Sequence, residues 1–158
     1  RVHVALREAV EKHSPNMLIM LGQSGGSDKV KLERVALNMM DSKLPDNDGY
    51  IPNEEPINIE TPAALFTNTP IKSLRAAIEE QGISVKISNS CGLYVCNRLY
   101  YEALMLCKKC HMKSIFIHLP FYEGQPSAKP NKPTMPQNDM VKAILTIIEK
   151  INDKYREF

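Results

Sequence analysis

Ser88-Asn89-Ser90-Cys91-Gly92-Leu93-Tyr94-Val95-Cys96-Asn97 is the stretch whose residue types and spacing hold the most chemistry. The short β-branched segment Ile83 to Ile87 precedes it and reads as a buried strand. From about Tyr94 onward, Val95, Leu99, Ala103 and Leu106 recur at helical spacing. The pattern predicts a strand, a tight polar loop and a helix with Cys96 in its first turn. There, free backbone N–H groups and the positive end of the helix dipole favour a thiolate. Cys96 is therefore a candidate nucleophile. The competing reading is a core cysteine on an apolar face with Leu99, Tyr100 and Ala103. A nucleophilic thiolate needs an imidazole to shuttle its proton and an acidic or amide group to orient that imidazole. His118, closing the apolar run Ser114 to His118, is the candidate base. Glu33 is the candidate orienting group. Placed between Lys31 and Arg34, it reads from its neighbours alone as a solvated carboxylate.

Other chemistry-bearing strings are weaker. Cys107-Lys108-Lys109-Cys110-His111 has the C-x-x-C-H spacing of covalent haem attachment, and a single C-x-x-C makes a poor zinc site. Its expected place is a helix end, with Cys107 packed inward and Cys110 incidental. Asp46-Asn47-Asp48-Gly49 lacks the spacing and distal Glu of a calcium loop and reads as a turn-rich loop. Gly22-Gln23-Ser24-Gly25-Gly26-Ser27 reads as a flexible turn in which backbone could approach a ligand. No Gly-Lys-Ser/Thr follows it and no GxGxxG is present, so a nucleotide is not implied. No metal and no cofactor are expected.

The elements that must position these groups follow from periodicity. Residues 4 to 13 predict a helix with Val4, Leu6 and Val10 inward, stopped by Ser14-Pro15-Asn16. Met17 to Leu21 predicts a strand buried on both faces, and with Ile83 to Ile87 it reads as a centre strand. Val30 to Met40 alternates and predicts one extended segment. Residues 41 to 58 predict a long loop, and Pro62 to Thr69 carries no clear pattern. Ile71 to Gln81 predicts a helix with Leu74, Ala77 and Ile78 inward and Gly82 as its C′ residue. After the Cys96 helix and the Ser114–His118 strand, the proline-rich stretch Phe121 to Gln137 predicts an extended connector. Asp139 to Asn152 predicts a last helix with Met140, Ile144, Ile147, Ile148 and Ile151 inward. This alternation implies an α/β fold, a three-layer α/β/α sandwich around a mostly parallel twisted sheet. In such sheets ligands bind beyond the carboxyl ends of strands, where Gln23, the Cys96 loop and His118 are expected to converge.

With 158 residues, 43% hydrophobic and 24% charged, the composition fits one globular domain. A formal net charge of +2 implies neither a nucleic-acid partner nor an anionic membrane. No apolar run reaches the ~18 residues of a membrane span. Four cysteines without a regular framework suggest a reducing, cytoplasmic setting.

Four motifs then stand in a familiar order: Leu32-Glu33-Arg34-Val35-Ala36-Leu37-Asn38, Leu44-Pro45-Asp46-Asn47-Asp48-Gly49, Ser88 to Asn97, and Phe116-Ile117-His118-Leu119-Pro120. They resemble the pyroglutamyl peptidase I (pyrrolidone-carboxylate peptidase) family. The resemblance implies a cysteine peptidase that removes N-terminal pyroglutamate from peptides, with Glu33, Cys96 and His118 as its triad. It implies that Gly22-Gln23 helps hold the lactam. It also implies that Lys43, standing where the family has an arginine, faces the developing oxyanion with a point charge in place of a planar fork. The family opens with a strand and a Gly-Phe-x-Pro-Phe-Gly-type loop that this sequence does not contain. Residues 1–158 are therefore expected to form a single pyroglutamyl-peptidase-like domain, incomplete at its N-terminus. Expected partners are pyroglutamyl peptides and further copies of the chain, with no nucleic acid and no membrane. The rival expectation is a truncated, weak or silent relative acting as a binding or scaffold subunit.

Overall fold

The computed structural model describes residues 2–125 and 131–156. In chain order the elements are α1 (Val2–His13), β1 (Met17–Gln23), β2 (Val30–Glu33), β3 (Val35–Leu37), β4 (Ala64–Phe66), α2 (Ile71–Glu80), β5 (Val85–Ser88), α3 (Val95–Cys110), β6 (Lys113–Leu119), β7 (Phe121–Tyr122), β8 (Thr134–Met135) and α4 (Gln137–Arg156). The main sheet has the order β1-β6-β2-β5. Lys113 N–H bonds Asn16 O and Ser24 N–H bonds Leu119 O, so partners on β1 and β6 climb together and the pair is parallel. Val30 N–H to Ser84 O and Arg34 N–H to Ser88 O make β2 and β5 parallel in the same way. Between them β2 meets β6 antiparallel, Lys31 opposite His118 and Leu32 opposite Ile117. The chain is thus a mixed α/β protein with a mostly parallel sheet, as the alternation implies.

Three expectations need correction. The first concerns β1 and β5, which stand at the two ends of the strand order rather than at its centre. Along β1, Met20 is buried while Leu21 is 51% exposed. An unbroken apolar run does not distinguish a strand covered on both faces from one covered on a single face. Second, Val30 to Met40 is not one strand. Arg34 N–H bonds Ser88 O in β5, and Arg34 O accepts from Thr67 N–H, so the chain leaves one sheet for another at this residue. Beyond it β3 pairs antiparallel with β4, Ala36 opposite Leu65. β4 lies in the stretch without a pattern, because three residues are too few to show alternation. Third, β2 and β5 run opposite to β1 and β6, so the carboxyl ends of β5 and β6 do not point the same way.

Contacts divide the chain into two compact units, the first being Arg1–Met20, Glu33–Thr69 and Ser88–Phe116. In it α1 and the β3–β4 pair pack on α3. Leu6, Val10, Ala36, Leu65, Tyr100, Tyr101, Leu104 and Phe116 share its core. Val4, expected inward, is 47% exposed. Ser14 takes φ 43° and its N–H closes α1 on Val10 O, consistent with the predicted stop.

The second unit is Leu21–Leu32, Pro70–Ile87 and Ile117–Phe158. Here α2 packs on α4. Ile71, Leu74 and Ile78 on one helix and Met140, Ala143, Ile147 and Ile151 on the other are buried. Ile148, expected inward, is exposed. Gly82 follows the cap residue Gln81 with φ +75°, the left-handed geometry the C′ reading requires. The expected connector Phe121 to Gln137 contains the short parallel pair β7–β8, and its residues 126–130 lie outside the described ones.

Candidate active site

The chemistry of the first unit starts at the head of α3. Tyr94 is the N-cap residue, extended at φ −98°, and its side chain makes no cap hydrogen bond. The N–H groups of the first turn are thus not taken by a side-chain cap, and Cys96 is the second residue of that turn. Cys96 is half-buried and also packs on the core with Leu99. Its place in the first turn and its packing on the apolar face are thus both seen.

Five residues upstream, Cys91 has the opposite setting. Its buried thiol lies 3.5 Å from Asn97 Oδ1 and 3.9 Å from Val35 O. Burial, with the charges of Glu33 and Cys96 adding, pushes that thiol up to about 12. Burial likewise pushes Cys107 up to about 11, and Cys107 packs inward as expected while Cys110 is exposed.

Ahead of α3 a long loop is tied to the same point. Asp41 N–H bonds Leu93 O at 3.0 Å and Tyr94 Oη donates to Pro45 O at 2.5 Å. Lys43 lies between these two anchors and is exposed. Farther on, Asp46 Oδ1 accepts from Asp48 and Tyr50 N–H at 2.9 and 3.0 Å. The bond from Tyr50, seconded by that from Asp48, holds the Asp46 carboxyl below its ordinary range. This is turn chemistry, as read from the sequence.

Glu33 ends β2 and is fully buried, which overturns the reading of it as a solvated carboxylate. Its backbone oxygen accepts from Tyr100 Oη at 3.0 Å. Asn97, directly after Cys96, is also fully buried. Its Oδ1 accepts from Leu37 N–H at 2.9 Å, and its Nδ2 donates to Leu37 O and Met39 O at 2.8 and 2.9 Å. Neither Asn97 nor Tyr100 is singled out by sequence reasoning. The available signal was a polar side chain on the inner stripe of an amphipathic helix. Tyr94, Val95 and Arg98 line an open cleft of about 520 Å³ with Val2, Ala5 and Asp46.

In the second unit, His118 lies in β6, buried, across from Lys31. Lys31 Nζ donates to Ser24 Oγ at 2.7 Å. Gly22 and Gln23 belong to the end of β1 and not to the turn, which begins at Ser24. The amides of Gln23 and Gln125 bond each other reciprocally at 2.8 and 3.1 Å. Gln23 also lines a cavity of about 360 Å³ with Leu21, Leu119, Pro120 and Tyr122. In the turn, a Cβ on Gly25 would come within 2.4 Å of the Phe121 ring, so a larger residue there would displace it.

Of the expected site residues, Glu33, Cys96 and Lys43 are in the first unit, and His118 and Gln23 in the second. A half-exposed thiol at an uncapped helix start, a buried carboxylate and a buried imidazole are the groups that acyl transfer through sulfur uses. Among the described residues, no group of three or more His, Cys, Asp or Glu is arranged to hold a metal ion. Among them too, no helix is long and apolar enough to cross a membrane.

A family profile described as pyroglutamyl peptidase matches residues 1–154. Pyrrolidone-carboxylate peptidase 1 of Caldanaerobacter subterraneus is 41% identical over 154 residues, covering 94% of this chain and 76% of that protein. Among solved structures, pyrrolidone carboxyl peptidase from Thermococcus litoralis superposes with TM-score 0.93 at 30% identity, over 98% of this chain and 74% of that one. Pyroglutamyl peptidase I from Bacillus amyloliquefaciens does so with TM-score 0.86 at 34% identity, over 91% and 69%.

Proposed function

The chain belongs to the pyroglutamyl peptidase family, and on that premise we propose that Cys96, His118 and Glu33 are its catalytic residues. The activity is removal of N-terminal pyroglutamate from peptides by a cysteine peptidase; a silent scaffold subunit is not favoured. The observation that carries the residue assignment is Cys96 in the uncapped first turn of α3, within the same compact unit as the fully buried Glu33.

In the proposed reaction the Cys96 thiolate attacks the carbonyl carbon of the pyroglutamyl residue. The oxyanion that forms is steadied by N–H groups at the head of α3 and by the Lys43 ammonium. His118, as imidazolium, gives its proton to the leaving amine when the C–N bond breaks. The resulting thioester is hydrolysed by a water that His118 deprotonates, returning pyroglutamate and the free thiol. Glu33 holds the imidazole in its working orientation and stabilises the imidazolium. Gln23 hydrogen-bonds the lactam, exchanging its partner Gln125 for substrate. Residues 1–158 are assigned to one catalytic domain, in keeping with the family profile that matches residues 1–154. No cofactor takes part.

We further propose a cytoplasmic setting and self-association. Four free thiols support the first and the exposed apolar side chains Val141, Leu145 and Ile148 of α4 the second.

The test is hydrolysis of a pyroglutamyl anilide, with a prolyl anilide as the control that lacks the lactam carbonyl. Cys96→Ala and His118→Ala should each lower kcat by at least about 10⁴-fold. Activity that survives Cys96→Ala rejects the assignment.

A further inference from the structure

Tyr100 stands one helical turn beyond Cys96 on α3 and is fully buried. Its ring lies against Phe116, centroids 5.9 Å apart and tilted by 51°. A phenylalanine would fill the same space, so packing does not account for the hydroxyl. Burying a hydroxyl is unfavourable unless it is hydrogen-bonded, and the partners here are specific. Tyr100 Oη donates to Glu33 O at 3.0 Å. The Thr67 side chain and the Phe116 backbone also reach it. Burial raises the phenol well above its ordinary value, so it remains a donor throughout the working pH range. Glu33 closes β2, and Phe116 precedes His118 by two residues in β6. One turn earlier, Asn97 grips Leu37 and Met39 and fixes the rotation of the helix.

We propose that Tyr100 is a positioning residue, whose hydroxyl sets the distance between the peptide of Glu33 and the helical turn that carries Cys96. The proposal rests on the triad reading. It gives α3 two tasks: presenting the thiol, and gauging where the strand that ends in Glu33 sits. Without the hydroxyl, the Glu33 carbonyl loses a donor and the carboxylate loses its aim at the imidazolium.

The experiment compares Tyr100→Phe with the parent protein and with Glu33→Gln, at a temperature where circular dichroism shows each folded. Tyr100→Phe should lower kcat about fivefold to tenfold with KM within about twofold. The alkaline limb of the kcat/KM profile, where the imidazolium loses its proton, should move to lower pH because the carboxylate supports it less. Ile78→Val, a packing change in α2, should lower the melting temperature and leave kcat and that limb unchanged. An unchanged kcat and alkaline limb in Tyr100→Phe overturns the inference. So does a Tyr100→Phe chain that fails to fold, since the hydroxyl would then hold the fold rather than the spacing. Full activity in Glu33→Gln removes the triad reading itself. A large loss in Glu33→Gln beside an unaffected Tyr100→Phe removes the positioning role alone.

Discussion

Helices α3 and α4 are the two longest among the described residues, and their buried faces differ in character. The buried face of α3 carries Asn97, Tyr100 and Tyr101 among its apolar residues, and each makes directed hydrogen bonds to another segment. Tyr101 Oη, for example, donates to Pro62 O at 2.6 Å. The buried residues of α4 in the core are Met140, Ala143, Ile147 and Ile151. Apolar packing is non-directional and tolerates small slides and rotations; a buried hydrogen bond does not, because a broken one leaves an unpaired polar group. The helix that carries Cys96 is therefore located by hydrogen bonds as well as contact, whereas the core residues described for α4 are apolar.

The largest effect that would break this contrast is at Asn97. Asn97→Ala leaves Leu37 N–H, Leu37 O and Met39 O without their partner. It should lower kcat by about 10- to 100-fold, because a misplacement near 1 Å carries that cost. Steady-state kinetics on protein shown to be folded checks it; a purely thermal penalty with parental kcat would erase the distinction between the helices. Next comes Ile147→Ala in α4. Ile147 is fully buried, so its truncation should cost about 2–5 kcal/mol of stability. Here kcat should stay at the parental value, as read by urea denaturation alongside the anilide assay.

The last effect concerns pH and is confined to the alkaline range. Cys91 is held up at about 12 against an ordinary thiol value of 9.0. The folded state keeps a proton that the unfolded state releases, so this stabilisation is complete below pH 9 and is lost as pH rises toward 12. Through that window stability should fall by about 1.4 kcal/mol per pH unit from this thiol, with Cys107 adding in the same direction. Cys91→Ala should flatten the decline in melting temperature. An equally steep decline in the variant would show that the Cys91 proton is not linked to folding.

The contrast also marks what was legible in the sequence. The head of α3 was, because Val95, Leu99 and Ala103 set its period and a polar loop sets its start. The α2 stop was, because Gly82 supplies the left-handed residue that the cap needs. The break at Arg34 was not, since alternation continues smoothly through a residue whose two backbone groups bond different strands. Nor was the exposure of Leu21, which depends on what covers each face of β1. The burial of Glu33 contradicts its charged neighbours, and only the family resemblance had set it apart from a solvated carboxylate. Tyr100 disappeared into an apolar stripe, because periodicity counts its ring and ignores its hydroxyl. Directed contacts between segments distant in sequence leave no periodic trace, and these contacts shape the candidate site.

The central claim is that Cys96 carries the acyl group during removal of pyroglutamate. It is tested most directly by mixing the protein with a pyroglutamyl ester, quenching in acid within one turnover, and mapping the adduct by peptide mass spectrometry. One pyroglutamyl group in hydroxylamine-sensitive thioester linkage on the peptide that contains Cys96, absent from Cys96→Ala, is the predicted result. Turnover with an adduct on Cys91, Cys107 or Cys110, or with none on any cysteine, would contradict it.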